Sequence, residues 1–353
     1  MEPSMEGSEE PPSSPIKKKV IVNKGAVNQN GFFLMLLKSL PDYSPYLKNL
    51  RIEIISETER CRELWQEFSP KKTLFDTWEF RLAFNKAYQF KPHFILIGNQ
   101  FENLALLPLE YNQDEREYHW FGSSWQEENK FFSKNPIFIP FLLAIAPKPL
   151  YLNAIDFTTA NELSRFLDFQ PDQPKYILDL TNLKSREDFL MSLTKNKRHD
   201  LRKDKRRIER QNPKIIINEV PTFSDLDTLI NLSKERFSQK GEVTDWEDPR
   251  RIEAFRQVIL LSNQSYKLRL IKVEINQKVA GVDLVAIFNN CYYTLKCGYD
   301  IKNFSGIGNF INLFEIEEAI KMGMKRVDFL QNSYQWKNRW FTALPLLKYE
   351  PKN

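Results

Sequence analysis

Apolar and polar residues alternate along residues 51–56, which predicts a strand. Residues 57–68 and 77–88 instead bring their apolar side chains round at helical spacing, with Leu64, Trp65 and Phe68 on one face of the first. Residues 93–98 and 104–110 read as strands paired across residues 99–103, and 118–122 and 150–155 as two more. Helices are predicted at 135–146 and 158–167. Residues 176–180 form a strand between two halves of the chain. Residues 185–210 read as one long helix, with Ser185 and Asp188 spaced as at a capped N-terminus. After Pro213 the pattern gives a strand (214–220), helices (224–239 and 249–261) and a hairpin of 266–275 with 278–288 across Asn276-Gln277. A strand (291–300), a helix (309–322), a strand (326–330), a short helix (333–341) and a last strand (344–349) complete the chain.

The stretch from Cys291 to Met322 carries the strongest chemical signal. A strand rich in aromatic and β-branched residues feeds a loop with Asp, Asn, Ser and two glycines, and the loop opens a helix. Backbone N–H groups at a helix start, helped by the helix dipole, favour a phosphate. Gly306 and Gly308 would let a ligand approach the backbone closely. The spacing is Asn303-x-x-Gly306-x-Gly308, which is neither G-x-G-x-x-G nor a P-loop. In the first half no Gly-x-Gly loop follows any strand; Gly122-Ser-Ser124 comes nearest.

Composition adds limits. The 353 residues suit two domains, and the 42% hydrophobic content supports full cores. Residues 1–30, rich at first in Glu, Ser and Pro, are expected to be a disordered tail. Three cysteines without C-x-x-C spacing, and no secretory leader, point to a reducing, cytoplasmic setting. No metal-ligand spacing joins the three histidines to the cysteines, so no metal is expected. No apolar run is long enough for a transmembrane segment. Residues 31–40 are apolar but short, suited to docking on the protein body or to touching a membrane surface. Residues 195–210 hold nine Lys/Arg against Asp200, Asp204 and Glu209, a net of +6 against +5 for the whole chain. That segment is a solvated helix face, a clamp for a phosphorylated ligand, or a patch for RNA. It lacks interleaved aromatics, so no sequence-specific nucleic acid is expected.

The loop resembles the pyrophosphate loop R/Q-x-x-G-x-G/A of the GNAT acetyltransferase superfamily. The series Cys297-Gly-Tyr-Asp300, Phe304-Ser-Gly306, Ile316-Glu-Glu-Ala-Ile320, Val327-Asp-Phe-Leu330 and Trp336-Lys337 is similar to its CelD/BcsL-type branch, known from cellulose biosynthesis. That branch is related to the Fem-type peptidyltransferases. The resemblance spans residues 175–341 well and 50–170 weakly. It departs where the Pro of S-P-G is absent, at Asn332 in place of Gly, and at Trp336 in place of Tyr.

The resemblance implies an α/β (α+β) fold of tandem GNAT-like domains, each a mixed, mostly antiparallel sheet flanked by helices. Residues 50–170 would form a first domain without a phosphate loop, and 175–353 the acyltransferase domain. It implies an N-acyltransferase using acetyl-CoA or another acyl-CoA, acting on a small molecule or a cell-envelope sugar or peptide precursor. The alternatives are a Fem-type enzyme using aminoacyl-tRNA and a non-catalytic ligand-binding protein. Leu295, Cys297, Tyr299, Asn303, Gly306, Ile307, Gly308 and Asn309 would hold the cofactor. Tyr334 would protonate the leaving thiolate, or simply pack. Asp300 and Asp328 are candidate bases, or respectively a loop cap and a structural partner. Lys337, Trp336 and Asp283 would face the acceptor, in a cleft that Trp78, Trp120 or Trp125 would line from the other half.

Overall fold

A computed structural model describes residues 20–21, 50–158, 163, 167–332 and 336–351. The first half opens with strands β1 (Val20–Ile21) and β2 (Arg51–Ile55), then helices α1 (Thr58–Phe68) and α2 (Trp78–Tyr88). Strands β3 (Lys91–Gly98), β4 (Asn103–Asn112), β5 (Glu117–Trp120) and β6 (Phe132–Ser133) follow, then α3 (Phe138–Ile145), β7 (Leu152–Asp156) and β8 (Gln170–Pro171). Strands β1 to β5 form one antiparallel sheet in chain order, with β6 added to β4. One face packs on α1 through Trp65, Phe94 and Phe121, and the other on α3 through Leu107, Trp120 and Leu142.

The second half contains β9 (Lys175–Asp179), α4 (Arg186–Ser192), α5 (Lys195–Glu209), β10 (Lys214–Asn218), α6 (Phe223–Ser238) and α7 (Pro249–Leu260). Strands β11 (Lys267–Ile275), β12 (Lys278–Phe288) and β13 (Cys291–Tyr299) lead to α8 (Ile307–Lys321), β14 (Arg326–Asp328), β15 (Thr342–Leu344) and β16 (Leu346–Tyr349). The main sheet runs β10-β11-β12-β13-β14-β9-β15. Its neighbours are antiparallel except β13 and β14, which α8 connects as a parallel pair. Asn276 and Gln277 both have positive φ, the turn that a two-residue hairpin demands.

One face of this sheet packs against α4, α5 and α8 around Leu201, Ile208, Ile311 and Ile316. The other packs against α6 and α7, and this second core is shared with the first half. Phe80 and Phe84 of α2 meet Phe255 of α7 and Tyr266 edge-on, and Phe84 stacks on Trp125 at 5.1 Å. The chain is therefore an α/β protein of two sheet-and-helix halves joined by a common apolar core.

Several elements differ from the sequence reading. The expected helix at 185–210 is two helices, because Leu193 and Thr194 are extended (ψ 158° and 152°). The break turns α5 so that Leu201 and Ile208 pack inward. The expected strand at 344–349 is cut by Pro345, which cannot donate to a ladder. Its two pieces join different sheets: β15 pairs with β9, whereas β16 crosses back to pair with β7 and β8. The strand at 326–330 stops at Asp328, since Leu330 takes a left-handed φ of +61°. Residues 337–339 form a single 3-10 turn. Most of the helix expected at 158–167 and the tail at 1–30 lies outside the described residues. Trp78 and Trp120 are buried within the first half, at 4% and 1% exposure, so of the three tryptophans only Trp125 reaches the junction.

Gly298 shows how closely this junction is packed. A Cβ there would lie 2.3 Å from the Leu229 carbonyl oxygen and 3.0 Å from Leu232 Cβ, so β13 and α6 touch backbone to backbone. Gly298→Ala is expected to force them apart and lower stability by about 1–3 kcal/mol or more, read by urea unfolding. An unchanged midpoint would show that α6 yields freely.

Candidate active site

Strands β13 and β14 pair only through Cys291↔Arg326, Tyr292↔Val327 and Tyr293↔Asp328. Beyond that they part. Asp328 accepts the Leu330 N–H at 3.0 Å, and the left-handed Leu330 and Asn332 (φ +76°) carry the chain away. On the β13 side the register with β12 slips between Leu284 and Val285, so that Leu295 is a bulge. The Asp300 N–H bonds to Ala280 on β12. Strand alternation then sends the N–H groups of Tyr299 and Cys297 the other way, into the opening. The bulge also places Leu295 and Lys296 together on the face shared with the first half, while Cys297 and Tyr299 face α8.

Polar side chains from both halves converge on this opening. Lys175 of β9, 2% exposed, pairs with Asp328 at 2.7 Å and with Glu128 of the first half. Lys130 continues the chain of alternating charges to Glu128 (2.9 Å) and Asp76 (3.5 Å). Lys175 and Lys130 hold the Glu128 carboxyl down to about 2, against the burial that opposes them. The neighbouring Glu127 is different. It accepts the Gln331 N–H in the turn after β14, and burial pushes its carboxyl up despite the nearby Lys337 and Lys296 charges. Lys337 donates to the carbonyls of Phe329 (2.6 Å) and Gln331 (2.7 Å), so it clasps the same turn; burial lowers its ammonium.

The segment bearing Glu127 is held by Arg81, whose guanidinium donates to the carbonyls of Phe75 (2.7 Å), Phe121 (3.1 Å) and Glu128 (3.1 Å). Lys296 reaches across from the bulge. Its ammonium pairs with Asp245 at 2.6 Å and lies 5.0–5.7 Å from the rings of Trp246, Trp125 and Phe255. Burial pushes it below the usual lysine range.

The glycine loop occupies the opposite face. Gly306, with φ +91°, precedes the first turn of α8, which begins at Ile307, two residues before the expected Asn309. Its neighbours are internal. Asp204 of α5 stands in front of Gly306, 2.9 Å from where a Cβ would be, and accepts from the Asn309 side chain at 2.7 Å. Arg207 donates to Ser305 Oγ at 2.8 Å. The Tyr299 ring lies 3.0 Å from the Cβ position of Gly308. The Ile307 N–H is spent on Phe304, and Ile307 itself is buried. Asn303 is bonded to Asp300, which caps the loop. The Asp204 carboxylate therefore stands beside the helix start, bonded to the Asn309 side chain and paired with Arg207 (3.3 Å), but to none of the backbone N–H groups of the helix.

Other sequence candidates fall elsewhere. Asp283, 3% exposed, lies under α8, where it accepts from the Tyr299 hydroxyl (2.6 Å) and interacts with the fully buried Glu315. Trp336 packs into the cluster of Phe329, Trp340 and Phe341. Tyr334 lies outside the described residues. Burial pushes the thiols of Cys61 and Cys291 up to about 12 and Cys297 to about 11, which unsuits them as nucleophiles. Among the described residues, no group of three His, Cys, Asp or Glu side chains could hold a metal, and no helix is long and apolar enough to cross a membrane. Sequence reading missed Glu127, Lys175, Lys296 and Arg81. The acidic pair in Trp125-Gln-Glu-Glu128, amid an aromatic stretch, was the one available signal.

Residues 195–338 match the family model described as an acetyltransferase (GNAT) domain. The match begins at α5 and ends just past Lys337, so it takes in the glycine loop, the opening and the clasp. Solved structures resemble the fold over both halves. One is FemX, 12% identical with a TM-score of 0.56, covering 85% of this chain and 97% of that one. Another is L-PGS from Bacillus licheniformis, 10% identical with a TM-score of 0.52 over 84% and 93%. A tandem GNAT protein from the clavulanic acid biosynthesis pathway is 10% identical, with a TM-score of 0.51 over 86% and 100%. At these identities the likeness concerns the fold. No curated protein matches the sequence.

The Asp283–Glu315 pair has a measurable consequence. Burial raises both carboxyls, Asp283 to about 7, so the folded state keeps protons that the unfolded chain releases near pH 4. Stability is therefore fully present below about pH 4 and declines as pH rises towards 7, by up to about 1.4 kcal/mol per pH unit for each group. Glu315→Gln is expected to flatten that decline between pH 5 and 8 in urea titrations. A wild-type stability that rises over this range would contradict the assignment.

Proposed function

We propose that the protein transfers an acyl group to an amine at the opening between β13 and β14, using an acyl-CoA as donor. The observation that carries this reading is the meeting, at a strand opening within a GNAT domain match, of inward-facing N–H groups on β13 with a buried carboxylate from the other half. Direct transfer needs no enzyme nucleophile, only positioning, polarisation of the acyl carbonyl and removal of a proton. The Cys297 and Tyr299 N–H groups suit the carbonyl oxygen as charge develops on it. Glu127, raised by burial, suits the acceptor ammonium as base. Asp328 suits it less, because its carboxylate is committed to Lys175 and the Leu330 N–H. Lys337 holds the turn that Glu127 grips. The envelope-precursor acceptors suggested by the motif series belong to this proposal.

The donor's phosphates would fit the start of α8 once Asp204 withdraws. Asp204→Ala is therefore expected to tighten coenzyme A binding about tenfold in calorimetry, by roughly 1.4 kcal/mol. Weaker or unchanged binding would place the donor elsewhere. The blocking carboxylate also supports a second reading, an aminoacyl-tRNA donor whose phosphates lie along the exposed basic face of α5 and leave Gly306 alone.

Glu127→Gln tests the chemistry. With acetyl-CoA and a panel of amines, thiol release should fall by about 10²–10⁴-fold while the melting temperature holds. Wild-type release from the variant would remove Glu127 as base. Transfer from charged tRNA, with none from acetyl-CoA, would select the second reading.

A further inference from the structure

Arg251, at the start of α7, lies on the same side of the sheet as Lys296, with the Trp125 ring near both. Its guanidinium lies 5.7–5.8 Å from the centroids of Phe84, Tyr88 and Trp125, between helices of both halves. The side chain is 13% exposed. Nε and Nη1 are buried without a hydrogen-bond partner, and the nearest carboxylate is Asp245 at 3.7 Å. That carboxylate is already held by Lys296 at 2.6 Å. Within ion-pair distance Arg251 and Lys296, the lysine that the β13 bulge delivers, thus share one anion among aromatic rings. Leaving buried guanidinium donors unsatisfied is costly, and aromatic walls do not replace an anion. The adjoining Arg250 shows the ordinary arrangement, with carboxylates of its own in Asp248 (3.1 Å) and Asp114.

We propose that Arg251, with Lys296, binds an anionic group of the acceptor, a carboxylate or a phosphate, and so selects amines that carry one. This rests on the acyl-transfer reading for what happens to the amine, but not for the binding. An anion on the guanidinium fork would satisfy the free donors and balance the recess. It would also hold the amine on the Glu127 side of the sheet.

The test is titration of the full-length protein, without donor, with ornithine, putrescine, phosphoethanolamine and ethanolamine. Ornithine should bind about tenfold to hundredfold more tightly than putrescine if the group is a carboxylate. Phosphoethanolamine should exceed ethanolamine by the same factor if it is a phosphate. Arg251→Met should abolish the preference, Arg251→Lys should weaken it, and Arg250→Met should keep it. Equal binding within both pairs, no binding by either anionic amine, or a preference that survives in folded Arg251→Met would overturn the proposal. Binding that persists while no donor supports transfer would refute the acyl-transfer reading and leave this one standing.

Discussion

The buried ammonium of Lys175 is the constraint from which the rest of the site follows. Its partners come from the adjacent strand, Asp328, and from the other half of the chain, Glu128. Taking such charges out of water is costly, and the arrangement holds only because every member has a counter-charge, out to Lys130 and Asp76. The ion pair fixes Asp328 at the point where β14 ends. Asp328 in turn bonds the Leu330 N–H, the chain swings into its left-handed turn, and β13 loses its neighbour. The opening is thus a product of the same contacts that lock the halves together.

The sheet also separates two electrostatic environments. Both faces hold a carboxyl raised by burial, but their company differs. Asp283 faces Glu315 and a tyrosine hydroxyl beneath α8, an arrangement that stores a proton inside the core. Glu127 faces the Lys337 and Lys296 charges and a backbone N–H at the junction. The first costs stability as pH rises, and the second is the base in the proposed transfer.

Much of the second half was legible because its signals are local. Period-two alternation, the Asn276-Gln277 turn and the strand–glycine–helix sequence each depend on a few adjacent residues. The need for glycine at 306 was likewise readable, since a left-handed residue before a helix calls for one. What fills the space was not. Asp204 lies about a hundred positions away in sequence, and the close approaches of α6 to Gly298 and of the Tyr299 ring to Gly308 likewise depend on packing rather than on local pattern. Glu127, Lys175 and Arg251 looked like ordinary charged residues because their roles come from burial and from partners in distant segments. Composition could not reveal the break at Leu193–Thr194 either, because both flanking segments are good helices.

The return of β16 to the first half gives the topology a temporal side. Strands β7 and β8 have no contact with each other in their sheet except through β16, which is synthesised long after both. Strand β7 already bonds to Asn129 on its other side, but a nascent chain leaves the groups that β7 and β8 turn towards β16 unpaired until nearly all of the second half has emerged. Such late, non-local closure slows folding and keeps an open edge exposed to other chains. Joined this way, the first half cannot close its last sheet until the end of the second has been made.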